Sequence, residues 1–234
     1  MRIAEIYRSL QGEGLLAGTP SVIVRTSGCN LRCQWCDTPF TSWEPTGDPM
    51  TEAAIVAALE ALGRRHVIVT GGEPLLFDET VSLCRELRRR GHHVTIETAG
   101  TVLPTSSREK PFADLMSISP KLASSGPPAD TPANWAGRHA AARRRDDVLT
   151  ALMTDTPWQL KFVIDAPADL AEAEAWLEDL GVRATDGAIF MMPQGVRPDD
   201  LARTTAWLAA ACEERGYRIG PRHHIAWFGH ARGT

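Results

Sequence analysis

Three cysteines stand within eight residues, Cys29, Cys33 and Cys36, in the run C-N-L-R-C-Q-W-C. Three thiolates on one short loop suit a [4Fe-4S] cubane with one iron left without a protein ligand, whereas a cluster held only for electron transfer takes four cysteines. An iron without a protein ligand is a place for a small molecule to bind, which turns an electron carrier into a possible catalyst. A zinc site is the alternative, but it wants four ligands, usually as two separated pairs. Asp37 or a distant histidine would have to supply the fourth. Core thiols do not fit, because Asn30, Arg32, Gln34 and Asp37 make the loop polar. The other two cysteines, Cys84 and Cys212, lie in apolar-periodic helical segments and read as small buried side chains.

A second group follows the apolar run His66–Thr70: Gly71-Gly72-Glu73-Pro74. Two glycines let a backbone approach a ligand closely, since no Cβ intervenes, and Glu73 can accept a hydrogen bond from a ligand ammonium. Arg25 ends another apolar run. A charge there is expensive without a partner, which a carboxylate ligand, Glu5 or Glu13 could supply. Lys161 sits in mid-strand and calls for a similar partner.

These residues need elements to hold them. Strands are expected at Ser21–Arg25, His66–Thr70, His93–Glu97, Leu115–Ser119, Gln159–Ile164 and Ala188–Met192, with one more at Ile225–Phe228. Helices are expected after an N-cap at Thr51, ending at Gly63, and at Asp78–Arg90, Pro167–Leu180 and Pro198–Arg215. Strand–helix alternation means parallel βαβ units, and about six units are too few for a closed eight-stranded barrel. The expectation is an α/β fold: a partial, curved (β/α)6-type barrel, one domain over 1–234, its site at the C-terminal ends of the strands. The proline-rich stretch 103–157 reads as an irregular insertion with one strand and a polar helix over Trp135–Leu152. Arg143-Arg144-Arg145 followed by Asp146-Asp147 reads as a solvated face.

Composition narrows the function. The 234 residues are 43% hydrophobic with a net charge of −4. That supports a full core and argues against a nucleic-acid groove, which carries a basic face. No apolar run reaches membrane-spanning length and the N-terminus lacks a signal pattern. A soluble cytoplasmic protein is expected, in a compartment that keeps thiols reduced.

The cysteine loop S-G-C-N-L-R-C-Q-W-C-D-T together with G-G-E-P resembles the radical S-adenosylmethionine (SAM) superfamily. S-L-Q-G-E-G (Ser9–Gly14), E-T-A-G-T (Glu97–Thr101), S-P-K (Ser119–Lys121) and L-K-F-V-I (Leu160–Ile164) narrow the resemblance to the 7-carboxy-7-deazaguanine synthase family of queuosine biosynthesis. It implies that Cys29, Cys33 and Cys36 hold the cluster and that Thr38 is a Mg²⁺ ligand. It implies SAM contacts from Trp35, Cys36, Asp37, Gly71, Gly72, Glu73, Gly100, Ser119, Pro120 and Lys121, and from Met192, Pro193, Gln194 and Gly195. Substrate contacts are implied for Leu10, Gln11, Gly12, Arg25, Thr98 and Thr234. His224 matches the family pattern in a structural role; the other histidines are expected to be ordinary.

The implied reaction is radical-SAM conversion of 6-carboxy-5,6,7,8-tetrahydropterin to 7-carboxy-7-deazaguanine with loss of ammonia, a lyase activity. The implied partners are the pterin, an electron donor such as flavodoxin or ferredoxin, and a second copy of the chain in a homodimer; neither nucleic acid nor membrane is expected. Two alternatives remain: a glycyl-radical-type activating enzyme acting on a protein partner, and a non-enzymatic iron–sulfur electron-transfer or zinc module.

Overall fold

The computed structural model describes residues 1–108, 112–229 and 231–233. Nine strands form one sheet: β1 Arg2–Leu10, β2 Pro20–Thr26, β3 Asp48–Pro49, β4 His66–Gly71, β5 His93–Thr98, β6 Leu115–Ile118, β7 Trp158–Ile164, β8 Ala188–Pro193 and β9 Arg218–Ile219. Their order is β3-β1-β2-β4-β5-β6-β7-β8-β9. From β2 to β9 all neighbours are parallel; β1 runs antiparallel to β2 and to β3. The helices are α1 Pro39–Ser42, α2 Glu52–Leu62, α3 Glu79–Arg89, α4 Trp135–Ala142, α5 Asp146–Met153, α6 Pro167–Asp179, α7 Pro198–Arg215 and α8 His223–Phe228.

Strand residues alternate between two faces. Val22, Val24, Val67, Val69, Val94, Ile96, Met116, Ile118, Leu160, Phe162 and Ile164 share one buried core with Ile55, Leu59, Leu83, Leu87, Leu149 and Trp176 of the covering helices. Their neighbours Arg25, Thr70, Glu97, Ser117, Lys161 and Met192 all line a single cavity on the other face. Residues on strands from β2 to β8 can share one cavity only if the sheet curves around it, which is the partial barrel.

Local signals act as expected in most places. The Thr51 side chain accepts from the Ala54 N–H to cap α2, and Gly63 closes it at φ 63°. Cys84 and Cys212 are buried in α3 and α7. Three expectations change. β1 has no counterpart among the expected strands, because its residues are mostly half-buried rather than a continuous apolar run. The single helix expected over Trp135–Leu152 is two, α4 and α5. The break comes where Arg145 turns extended and Asp146 and Asp147 enter the first turn of α5, the end of a helix that favours carboxylates. There Arg144 and Arg145 pair with Asp146 and Asp147.

Ile225–Phe228 is helical, not a strand. β9 already pairs with β8, and the chain then turns across the cavity, with the His223 N–H donating to the Gly12 carbonyl at 3.0 Å. Burying Ile225 anchors that helix. Among the described residues, no helix is long and apolar enough to cross a membrane.

Candidate active site

The cavity measures about 510 Å³, within the range of small-molecule sites. Cys29, Cys33 and Cys36 line it from one side, Leu10, Gln11 and Gly12 from another, and the ends of β4, β5 and β7 from beneath.

The cysteine loop is fixed from three directions. The Glu73 N–H donates to the Gly28 carbonyl at 2.9 Å, and the Gly28 N–H to the Thr41 carbonyl at 2.8 Å. A Cβ on Gly72 would fall 2.3 Å from the Gly28 carbonyl oxygen and 2.8 Å from the Cys29 Cβ, so only glycine lets the turn after β4 press against the loop. The Trp43 Nε1–H donates to the Cys33 carbonyl at 3.0 Å. The third support comes from the insertion. His139 Nδ1 accepts from the Arg32 N–H at 3.2 Å, and the Gln34 N–H donates to the Ser125 carbonyl at 3.0 Å.

The donor set fits an iron–sulfur cluster. All three cysteines are free thiols, half-buried, facing one cavity. Burial pushes the Cys29 thiol up to about 12 and the Cys33 thiol up to about 11, so a bound cation must replace their protons. Among the described residues no three His, Cys, Asp or Glu side chains gather as they must around one ion.

Buried charges form a network in the same cavity. Lys161 Nζ lies 2.9 Å from Glu13 Oε2 and 3.5 Å from Glu97 Oε1, and the Gln11 amide donates to Glu97 at 3.1 Å. Burial opposes the charge of Glu13, but Lys161 and Arg222 overcome it and hold the carboxylate ionised. Lys161 is held protonated against its own burial by Glu13 and Glu97. Arg222 pairs with Asp37, donates to the Gly195 carbonyl at 2.7 Å and stands 3.6 Å from Glu13. Arg25 meets Glu5 at 2.6 Å and the Tyr7 hydroxyl at 2.9 Å. Arg232 shares the same Glu5 at 3.1 Å, so two guanidinium groups face one carboxylate.

Most expected contact residues line this cavity: Leu10, Gln11, Gly12, Arg25, Trp35, Asp37, Thr38, Gly71, Gly72, Thr98, Ser119, Lys121, Met192 and Gln194, with the three cysteines. Five expected SAM contacts do not line it. Glu73 is fully buried, and its carboxylate accepts from the Leu75 N–H, the Thr98 hydroxyl and the Ala99 N–H. It ties the turn after β4 to the end of β5, and the backbone of Gly71 and Gly72 faces the cavity in its place. Gly100 has φ 72°, and a Cβ there would run into the Leu149 side chain, so the close packing at this turn requires glycine. Pro120 is buried behind the Ser119–Lys121 turn. Pro193 ends β8 against Ile164. Gly195 offers its carbonyl to Arg222. Thr234 lies outside the described residues.

Thr38 lines the cavity, and the Thr41 hydroxyl lies 2.9 Å from its carbonyl and 3.1 Å from its hydroxyl oxygen. Glu13, Glu97 and Arg222 are the contributions that residue-by-residue reading did not place in the site. Glu13 stands inside the S-L-Q-G-E-G block, Glu97 begins E-T-A-G-T and Arg222 lies in the family-like C-terminal run P-R-H-H, so their positions were usable signals although no partner could be read from them.

Comparison with known proteins bears on the family and the fold. The model of the radical SAM superfamily matches residues 23–117. The 7-carboxy-7-deazaguanine synthase of Halobacterium salinarum is 45% identical to this chain over 241 residues, covering 99% of the chain and 92% of the relative. That of Rhodopirellula baltica is 42% identical over 233 residues, covering 99% and 88%. The crystal structure of QueE from Escherichia coli is similar in fold, with a TM-score of 0.68 at 23% identity, covering 95% of this chain and 94% of that one. So is that of Streptococcus suis SuiB bound to S-adenosylmethionine, at 0.54 and 14%, covering 88% and 51%.

Proposed function

We infer from the membership of this chain in the 7-carboxy-7-deazaguanine synthase family, shown by relatives 45% and 42% identical along its whole length, that its cavity carries out that family's radical-SAM reaction. The enzyme converts 6-carboxy-5,6,7,8-tetrahydropterin to 7-carboxy-7-deazaguanine with loss of ammonia, a carbon–nitrogen lyase step of queuosine biosynthesis. The observation that carries the residue assignments is the convergence of the three cysteines, the Gly71-Gly72 turn and Leu10–Gly12 on one cavity.

Cys29, Cys33 and Cys36 hold the [4Fe-4S] cluster. Bound there together with SAM, the cluster would supply the radical chemistry that removes a hydrogen atom from substrate. The protein binds, orients and excludes water. Gly71 and Gly72 offer SAM a backbone without side chains. Lys121, whose ammonium bonds only to Ser119 among the described residues, offers SAM a cation. The Arg25–Glu5–Arg232 group carries one more positive charge than negative, and it receives the substrate carboxylate. Gln11, tied to Glu97, presents donor and acceptor to the edge of the pterin ring. Thr38 would offer one oxygen ligand to Mg²⁺, whose charge would help hold the substrate carboxylate.

The enzyme works as a soluble cytoplasmic homodimer and draws electrons from a flavodoxin or ferredoxin. The reading as an activating enzyme for a partner polypeptide has no support in the relatives described above.

The test is turnover. Protein reconstituted with iron and sulfide without oxygen, given reductant, SAM, Mg²⁺ and the pterin, yields 7-carboxy-7-deazaguanine by mass spectrometry. SAM cleavage with the pterin left intact would remove the substrate assignment and keep the superfamily.

A further inference from the structure

The cysteine loop has two faces. Cys29, Leu31, Cys33 and Trp35 line the cavity, whereas Arg32 and Gln34 do not. Gln34 is exposed and Arg32 half-exposed. The outer face of this loop is therefore a single peptide away from Cys33, and an electron arriving from outside has its shortest route there.

The outer face carries an unusual charge arrangement. The Arg32 guanidinium stacks on the Trp135 ring with its carbon 3.9 Å from the ring centre, and the Arg138 guanidinium stacks on the same ring at 3.9 Å. Each cation gains from the indole, but the two repel one another. Among the described residues neither has a carboxylate partner, although the next arginines along the insertion all do: Arg143 with Glu172, Arg144 with Asp146 and Arg145 with Asp147. This unneutralised pair stands in a chain whose net charge is −4. Of the other arginines without carboxylate partners among the described residues, Arg64 and Arg65 precede β4 and so lie at the opposite end of the sheet from the cavity, and Arg197 stands singly before α7 with no second cation stacked beside it. Arginine and tryptophan together are the residue types that dominate binding energy at protein interfaces.

We propose that the Arg32–Trp135–Arg138 stack is the docking patch for a small acidic one-electron carrier protein, placed to deliver its electron across the Arg32–Gln34 segment of the cysteine loop. The proposal rests on the radical-SAM reading. One electron leaves the reduced flavin or iron–sulfur centre of the carrier, which is oxidised by one equivalent, and enters the centre held by the three cysteines. Carboxylates on the carrier neutralise the two guanidinium groups, and this local attraction outweighs the repulsion between two acidic proteins.

Arg138→Glu is the test, because Arg138 is exposed on α4 and touches neither the loop backbone nor the cavity. The reconstituted holoenzyme is titrated with flavodoxin and with ferredoxin at low and high salt, and turnover is driven either by the reduced carrier or by dithionite. The expected result is salt-sensitive binding by the wild type that weakens about tenfold or more in Arg138→Glu. Carrier-driven turnover falls in step, dithionite-driven turnover is unchanged, and Arg64→Glu binds as the wild type does. Unchanged carrier binding in Arg138→Glu, or a wild type that binds neither carrier, overturns the patch. Equal loss of carrier-driven and dithionite-driven turnover also overturns it, since the stack then serves the loop's structure. Failure of the wild type with dithionite would instead strike the radical-SAM reading itself.

Discussion

His139 Nδ1 accepts a hydrogen bond from the backbone N–H of Arg32 at 3.2 Å. An N–H can only donate, so Nδ1 carries no proton and the ring is the Nε2–H tautomer. That proton points to the Ser125 hydroxyl at 3.0 Å, and Ser125 in turn donates to the Leu122 carbonyl at 2.6 Å. One imidazole thus joins the middle of the cysteine loop to the insertion.

Replacing it with alanine leaves a buried serine hydroxyl with one partner fewer and a loop N–H with none. His139→Ala should lower unfolding stability by about 1–3 kcal/mol and should also lose iron faster to a chelator. A stability loss with an unchanged rate of iron release would show that the bond supports the insertion alone.

Acid should destabilise the fold through two histidines. Burial depresses both His66 and His139 from the ordinary 6.5 to about 4. Between those values the unfolded chain binds more protons than the folded one, so their contribution is full above pH 6.5 and lost as the pH falls toward 4. Each such group changes stability by at most about 1.4 kcal/mol per pH unit in that window. Urea midpoints should therefore fall between about pH 7 and about pH 5, and His66→Asn should flatten the slope. An equal slope in that variant would assign the acid sensitivity to other groups.

The Lys161–Glu13 pair should be costly to break from one side. Lys161→Met takes away the 2.9 Å partner of the Glu13 carboxylate and leaves it Arg222 at 3.6 Å, so a loss of about 3 kcal/mol is expected. The double variant Lys161→Met with Glu13→Gln should recover part of it. No recovery would show that Lys161 acts through Glu97.

Gly12 and His224 set a steric test of the closing helix. A Cβ on Gly12 would stand 2.6 Å from His224 Nδ1 and 2.7 Å from its Cβ. Gly12→Ala should push α8 outward and cut pterin turnover while SAM cleavage persists. Loss of both activities would place the damage at the cysteine loop instead.

Cysteine replacements should divide cleanly. Cys33→Ala should lose the cluster and turnover together, whereas Cys84→Ala, on the core face of α3, should keep its iron and lose only stability, by about 1–2 kcal/mol. Full turnover by Cys33→Ala would refute the cluster assignment.

Much of this was legible in the sequence, for physical reasons. The thiols of Cys29, Cys33 and Cys36 are close along the chain, so their joint chemistry needs no fold to predict it. Apolar runs such as His66–Thr70 and caps such as Thr51 and Gly63 act locally, and the strands and helices they define form as expected. The parallel βαβ order then requires the ends of those strands to meet.

What the sequence left open depends on contacts between distant residues. Arg222 lies 185 positions from Asp37, and no local pattern announces that pairing. Glu73 has the right chemistry for a ligand ammonium, yet Leu75, Thr98 and Ala99 take up its carboxylate, because a buried charge must be satisfied by whatever donors the fold brings near. Ile225–Phe228 has the composition of a strand but becomes a helix, because Ile225 is buried only when the chain folds back over Gly12. His139 reads as ordinary until α4 carries it 107 positions back to Arg32. The sequence by itself placed the three candidate cluster ligands on one loop and marked the parallel strands that alternate with helices from β2 to β8. Only the tertiary structure decided which charges pair, which glutamate faces inward and which face of the cysteine loop meets the solvent.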